Sequence, residues 1–501
     1  MTTTCGTHEE ARSTFRRPAL LTAMGLEWRL LSVDLGWWIA LAALSASTVL
    51  ALSNGWHRVR GRAASVQEAK EDETRRVDTL VRQLKRIERG EGKLPDAPYR
   101  DPRNAIYVGR GQGATVAYLP DGPLAALSIG LSDLYPRVFK VNAGSKDGFL
   151  FLDEPSNPAN LLAGGFDVAF VIVHLYPLFL IVTCYNVYSR EAEQGTLALT
   201  RASSARLSTI LAGKLLVRGG LLSLVLAVIL IIGLAVIRAG GTEPSPSPGA
   251  IVLLVGSLLS YGAFWGAVAL GVNSLRRDSA FNVVACVGAW VVLMLVIPSA
   301  INALAQVAYP APARSEMILA VREAAVDAER DRDAAEARYR EEHPSDVARP
   351  KTATVNDERT RRTLDVTLRA DIRADAVLVE QNTKVRNQRR LSDRVAVLAP
   401  PALANDILAE LAGAGHTQYD QFLERVELFH QEFRGFFVDR ARRETALTAE
   451  DYAHFPRFAP SYTHTSLSEP SLRRILTSLT WLTAFTLALL VVSLYRIDQT
   501  E

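Results

Sequence analysis

The chain is poor in the residues that carry most soluble chemistry. Its three cysteines, Cys5, Cys184 and Cys286, are too scattered for a disulfide framework or a zinc site. Two of them lie in or beside apolar runs, where cysteine acts as a small packing residue. HExxH and G-x-S-x-G are absent, and no Cys/His cluster has ligand spacing, which excludes metalloprotease and nucleophile-elbow chemistry. A net charge of +3, with no basic patch interleaved with aromatics, excludes a nucleic-acid footprint. A cleavable signal peptide is also missing: the first apolar run starts late, is long and lacks a small-residue cleavage site. That run is expected to stay as an anchor.

Hydrophobic residues make up 49% of the chain and charged residues 22%, but the two kinds are segregated. Six stretches are long, apolar and nearly free of charge: Gly36–Trp56, Phe166–Tyr185, Gly220–Ile237, Ala250–Gly271, Phe281–Ala303 and Ile475–Tyr495. Each approaches the roughly 20 residues a helix needs to cross about 30 Å of hydrocarbon. Trp37, Trp38 and Trp56 bracket the first run and Tyr185 and Tyr188 follow the second, as amphipathic rings do at headgroup level. The expectation is an all-α membrane protein with six transmembrane helices and two large, mainly helical regions between them. The spans are set at 36–56, 166–188, 213–237, 250–272, 281–303 and 474–495. The intervening segments are then 1–35, 57–165, 189–212, 273–280, 304–473 and 496–501.

An even number of spans puts both termini on one side and both large regions on the other. Charge does not decide which side is which, because Arg276 and Arg277 are balanced by Arg58, Arg60, Arg473 and Arg474, and long regions escape the positive-inside rule. "ALLTAMGLEWRLLS" in segment 1–35 reads either as a helix lying at the interface or as an extension of the first span. In 57–165, Val77, Leu80, Val81, Leu84 and Ile87 recur at helical spacing, and "NAIYVGRGQGATVAYLP" favours a small strand pair. In 304–473, "EMILAVREAAVDAERDRDAAEARYREEH" reads as a long charged helix. Leu364, Leu368, Ile372 and Val379 form a face expected to pack in a coiled hairpin with it. "GTEPSPSPGA" is a short turn between the third and fourth spans.

The segment "SREAEQGTLALTRASSARLSTILAGK" joins the second and third spans. It resembles the E-x-E-x-G-T-L…S-R…G-K pattern of ABC-2 type exporter permeases, matched here by Glu191, Glu193, Gly195, Thr196, Leu197, Arg206, Gly213 and Lys214. "PLAALSIGLSDLYPRVFKV", "NPANLLAGGFDVAFVIVHLYPLFLIV" and "LAPPALANDILAELAGAGHTQYDQFLERVELF" are similar, in the same order, to one ABC-2 subgroup. That subgroup has large extracytoplasmic regions and a domain of unknown function. The resemblance implies that Arg190, Glu191, Glu193, Gly195, Thr196, Leu197, Arg206 and Lys214 couple to an ATPase, with Arg276, Arg277 and Asp278 in a second cytoplasmic loop. On chemical grounds the carboxylates can pair with basic residues of a partner, and glycine permits a sharp exit from the helix.

Further implications of the resemblance are a bacterial inner (cytoplasmic) membrane, both termini cytoplasmic, and both large regions outside. A dimeric ABC ATPase subunit and a second permease copy or homologous permease are implied as partners. A periplasmic partner could dock outside. No G-x-x-x-x-G-K-[ST] loop is present, since "LAGKLL" lacks the preceding glycine turn and "GRGQG" lacks the lysine. No cofactor is therefore expected on this chain, and ATP and Mg would belong to the partner.

Asp167 and His174 are seven residues apart, on one face of a helix, and ionisable groups at that depth mark a candidate pathway. The plainer alternative is an interfacial aspartate with one histidine bonded inside the bundle. His416 and His430 lie in polar sequence and are expected to be solvated. Two rivals to an exporter permease remain: a mechanotransmission complex that works its outer domains without transport, and a membrane scaffold or sensor with no ATPase.

Overall fold

The computed structural model describes residues 19–91, 100–130, 136–144, 165–198, 206–240, 246–310, 314–342, 368–369, 372–373, 379, 383–443, 445–460 and 467–499. Six of its helices are long and apolar enough to cross a membrane: α2 (Leu35–Glu88), α4 (Val168–Glu193), α5 (Leu207–Ala239), α6 (Pro248–Asn273), α7 (Ser279–Ala308) and α12 (Glu469–Asp498). They contain the six apolar runs, and the chain is a largely helical, multi-pass membrane protein. The proximal end of the bundle is here the end where α2 begins and α12 finishes, and the distal end is its opposite.

Asp34 decides the first junction. Its carboxylate caps α2 by accepting from the Gly36 N–H at 2.9 Å, and the preceding helix, α1 (Ala19–Ser32), has already ended. Segment 19–32 is thus a separate helix and not an extension of the first span. It packs along α5, where Ala23 lies so near Gly213 that a Cβ added there would approach Ala23 Cβ to 3.2 Å.

The helix that carries the first apolar run does not stop at Trp56. It continues without interruption to Glu88, 54 residues in all, or about 81 Å of helix. The sequence changes from apolar to charged there, but it contains no helix breaker, and Gln67–Glu71 and Asp72–Arg75 contacts support the exposed turns. At its far end, Leu80 and Leu84 are buried in a second core, separate from the bundle. Glu73 ties the helix to β1 (Thr115–Tyr118), accepting from Thr115 Oγ1 at 2.7 Å and Val116 N at 2.8 Å.

β1 pairs antiparallel with β2 (Val138–Val141), Thr115 opposite Val141. The strand pair expected within 104–120 is therefore only half right. Asn104 accepts from the Tyr107 N–H and starts a helix, α3 (Ala105–Arg110), whose Ile106 and Val108 point into the core despite their β preference. That core is aromatic, built on Phe422, Phe429, Phe433 and Phe437 of α10 (His416–Arg442), with Tyr452 of α11 (Ala449–Ala453) and Phe455. His430 is not solvated: it is completely buried, with Nε2 3.0 Å from the Gly144 carbonyl.

The charged helix α8 (Arg314–Glu342) forms as expected, and Arg373 pairs with its Asp331. The apolar face assigned to the following stretch is described only in part. Leu368 touches the aromatic core, but Ile372 and Val379 are 69% and 62% exposed, and Leu364 lies outside the described residues. Helix α9 (Pro400–Leu411) is buried along most of its length and wedges against α12 and α6 at the distal end.

Spans α4 and α7 each contain a π-helical turn, Val171–Leu175 and Val292–Val296, and each turn is followed by a proline, Pro177 and Pro298. Proline has no N–H to offer the carbonyl four residues back. In α4 that carbonyl belongs to Val173, and the Tyr261 hydroxyl of α6 donates to it at 2.8 Å. Trp290 Nε1 of α7 donates to the next carbonyl, His174, at 3.3 Å. Inside a bilayer no water is present to do this. Tyr261→Phe should cost about 1–3 kcal/mol by orphaning the Val173 carbonyl. Pro177→Ala, which restores an N–H, should remove much of that cost, a coupling measurable as a double-mutant cycle of unfolding in detergent.

Candidate functional site

At the proximal end, α4 stops where glycine lets it. Gly195 adopts φ +74°, the Gly195 N–H bonds the Ala192 carbonyl at 3.3 Å, and the Thr196 N–H bonds the Glu191 carbonyl at 3.0 Å. This pair of bonds closes a helix with a left-handed residue just past its end. Nothing lies within 4 Å of a Cβ placed at Gly195, so its requirement is conformational and not steric.

The two carboxylates of the motif are engaged inside the chain. Glu193 accepts from the Ser279 N–H at 2.7 Å and its hydroxyl at 2.9 Å, at the first turn of α7. An anion there also meets the positive end of the helix. Asp278 is the N-cap of the same helix, 3.3 Å from the Phe281 N–H. Ser189 and Ser279 share a hydrogen bond of 2.8 Å. Beneath them Asn273 joins three spans: it accepts from the Tyr188 N–H at 3.1 Å and from Asn282 Nδ2 at 3.3 Å, and donates to the Cys184 carbonyl at 3.4 Å. Loop 189–206, over its described part, and loop 273–280 are therefore fastened into one surface. Arg276, held at φ +55°, carries the fastening on to α12 by donating to the Ile497 carbonyl at 3.2 Å.

Glu191 pairs with Lys214 of α5, and its other oxygen is buried without a partner. One turn deeper, Arg218 of α5 binds Glu27 of α1 at 2.6 Å, the Thr183 carbonyl at 2.6 Å and Asn186 Oδ1 at 2.9 Å. Glu27 and Arg218 are both buried. The pair fixes α1 to the base of α4 and α5. Arg190, Glu193, Thr196, Arg206 and Arg277 are exposed, with the Arg277 guanidinium 6.0 Å from the Phe281 ring centre. Leu197 is half-buried against the bundle core.

Asp167 and His174 sit at the distal end and line one cavity of about 1220 Å³. The π turn lies between them, so they do not follow simple helical spacing. Asp167 caps α4, accepting from Phe170 N at 2.7 Å and from Ile129 N at 2.8 Å. His174 stacks on Phe170 with ring centres 4.8 Å apart, and its Nδ1 is buried without a partner. His416 reaches the same cavity and is half-buried; burial, with Arg389 and Arg474 nearby, pushes its imidazole below the usual range. Among the described residues no three His, Cys, Asp or Glu side chains form a group able to hold a metal ion.

Sequence reading located the carboxylates but missed Glu27, Arg218 and Asn273. Arg218 was visible as a charge beside an apolar run. Its partner, 191 residues away, was not.

Residues 314–461 match the model of a domain family described only as a domain of unknown function, DUF3526. That segment runs from α8 to just past α11 and covers under a third of the chain. No curated protein and no solved structure matches the chain.

Arg218→Ala should destabilise the protein by about 3–5 kcal/mol because it strands buried Glu27. The double replacement Glu27→Met with Arg218→Met should cost far less, as read from unfolding in detergent. Gly195→Ala should cost about 1–2 kcal/mol through its left-handed backbone alone, and Gly195→Asn should recover part of it.

Proposed function

We propose that the chain is the membrane-spanning permease subunit of an ABC-2 type transporter, driven as an exporter by a separate ATPase that docks on loops 189–206 and 273–280. The observation that carries this reading is the Glu193–Ser279 and Asn273 fastening. It makes one surface from two loops that belong to four spans, so a force applied at either loop is delivered to α4, α5, α6 and α7 together. A partner that binds two arrangements of that surface with different affinity would shift the spans between them.

On this reading both termini and the docking surface are cytoplasmic, the membrane is a bacterial inner membrane, and regions 57–165 and 304–473 are extracytoplasmic. ATP and Mg are held by the ATPase dimer, and a second permease copy or a homologous permease completes the pathway. The motif residues divide by role. Glu191, Glu193, Gly195 and Lys214 shape the surface, whereas exposed Arg190, Arg206 and Arg277 face the partner.

The test is purification of the tagged protein from native membranes in mild detergent, followed by identification and assay of the accompanying ATPase. Reversal of Arg190 and Arg277 to Glu should leave folding intact and reduce ATPase association at least about tenfold, about 1.4 kcal/mol. Glu193→Gln should lower coupled ATPase activity while the complex still assembles. A chain that purifies with no P-loop ATPase under several extraction conditions, and tolerates all three changes, is a scaffold or sensor.

One observation favours mechanotransmission as a second reading. Helix α2 runs as a single rod from the proximal end to the aromatic core near Leu80 and Leu84, so bundle motion is transmitted to the large domain without a joint. Two glycines inserted after Ala64 should uncouple a mechanotransmitter while leaving its ATPase rate near normal. A transporter with the same insertion should keep both ATPase activity and substrate movement.

A further inference from the structure

The distal cavity of about 1220 Å³ is charged at one end and apolar at the other. Its walls are the first turns of α4 and α12, helix α9 and the helical stretch 383–396. At the α12 start, Arg474 is consumed by Asp406 at 2.8 Å and Asp393 at 3.1 Å. Glu469 and Arg473 also line the cavity, one turn apart, and neither is paired among the described residues. That leaves one free carboxylate and one free guanidinium at the mouth.

From Glu469 to Trp481, α12 descends about 18 Å, at 1.5 Å per residue. Trp481 lines the lower end, and Phe170 lines the wall in the first turn of α4; they are 46% and 37% exposed. The cavity thus runs from a charged mouth to aromatic rings on apolar parts of α4 and α12. His174, one turn deeper than Phe170 on α4, and His416, near Arg474, also line the cavity, and the Nδ1 of each is buried without a hydrogen-bond partner.

A water-soluble solute would leave the aromatic walls at Phe170 and Trp481 uncovered, and a hydrocarbon would cover the charged mouth without compensation. We propose that this cavity binds a membrane amphiphile with a zwitterionic head group. Its head lies between Glu469 and Arg473, and its chain runs along α12 past Thr477 to Trp481. As a transported substrate class the amphiphile rests on the permease reading. Binding itself needs neither ATPase nor nucleotide, so each idea can fail without the other.

The test uses the full chain in a non-ionic maltoside micelle with diazirine-bearing single-chain probes of equal length. Their heads are phosphocholine, trimethylammonium or sulfate, and adducts are mapped by mass spectrometry. The phosphocholine probe should label Phe170 and Trp481 about tenfold more than the other two. Arg473→Glu should shift preference to trimethylammonium and Glu469→Lys to sulfate, and Thr477→Trp, at an exposed position on the wall, should reduce cavity labelling by every probe. Equal yields for the three heads would overturn the proposal. So would adducts concentrated on outward residues such as Val284 and Val491 with no excess in the cavity.

Discussion

A bilayer supplies no hydrogen-bond partners, so every polar group carried into it must be answered from within the chain. This constraint shapes the bundle at three levels. At mid-depth it puts the Tyr261 hydroxyl on the carbonyl that Pro177 leaves unpaired. Near the proximal end it surrounds Arg218 with Glu27, Asn186 and the Thr183 carbonyl, and so pins α1 across the base of the spans. At the surface it makes Asn273 a knot between α4, α6 and α7. In each case a single residue type change leaves a buried polar group without its partner, which is more costly than the loss of an ordinary contact.

These bonds also determine how the molecule can move. The helix ends at the proximal face are fastened to one another, whereas α4 and α7 each carry a π turn followed by proline in their interior. Such turns are the usual sites where a helix changes direction. Motion imposed at the fastened face would be absorbed at those turns and passed to the distal half. Helix α2, which has neither feature, joins the bundle to the aromatic core as one uninterrupted helix.

The spans were legible because apolar length is a property of composition, read without knowing what each helix touches. That one helix runs on past the apolar run to Glu88 is not read from composition, which changes at Trp56, because helix continuity is a matter of backbone preference and not of polarity. The strand assignment over 104–110 failed because Asn104 caps the first turn, a local bond that outweighs β preference. His430 was assigned to solvent because its neighbours in sequence are polar, yet the aromatic face of α10 carries it into the core. The motif at 189–214 was visible as a pattern, but the contacts its carboxylates make within the chain were not. Glu193 meets Ser279 from 86 residues away, a pairing that no spacing rule contains. Arg190 and Arg277 beside it are exposed.

The central claim is that the fastened proximal surface is where an ATPase docks. A photoreactive amino acid at position 190 or 277, irradiated in native membranes, tests it most directly. Both positions should capture the same chain, identified by mass spectrometry as a P-loop ATPase, and position 110, exposed in the large domain away from the bundle's proximal end, should not. Capture of no ATPase from either position, or equal capture from position 110, would contradict the account.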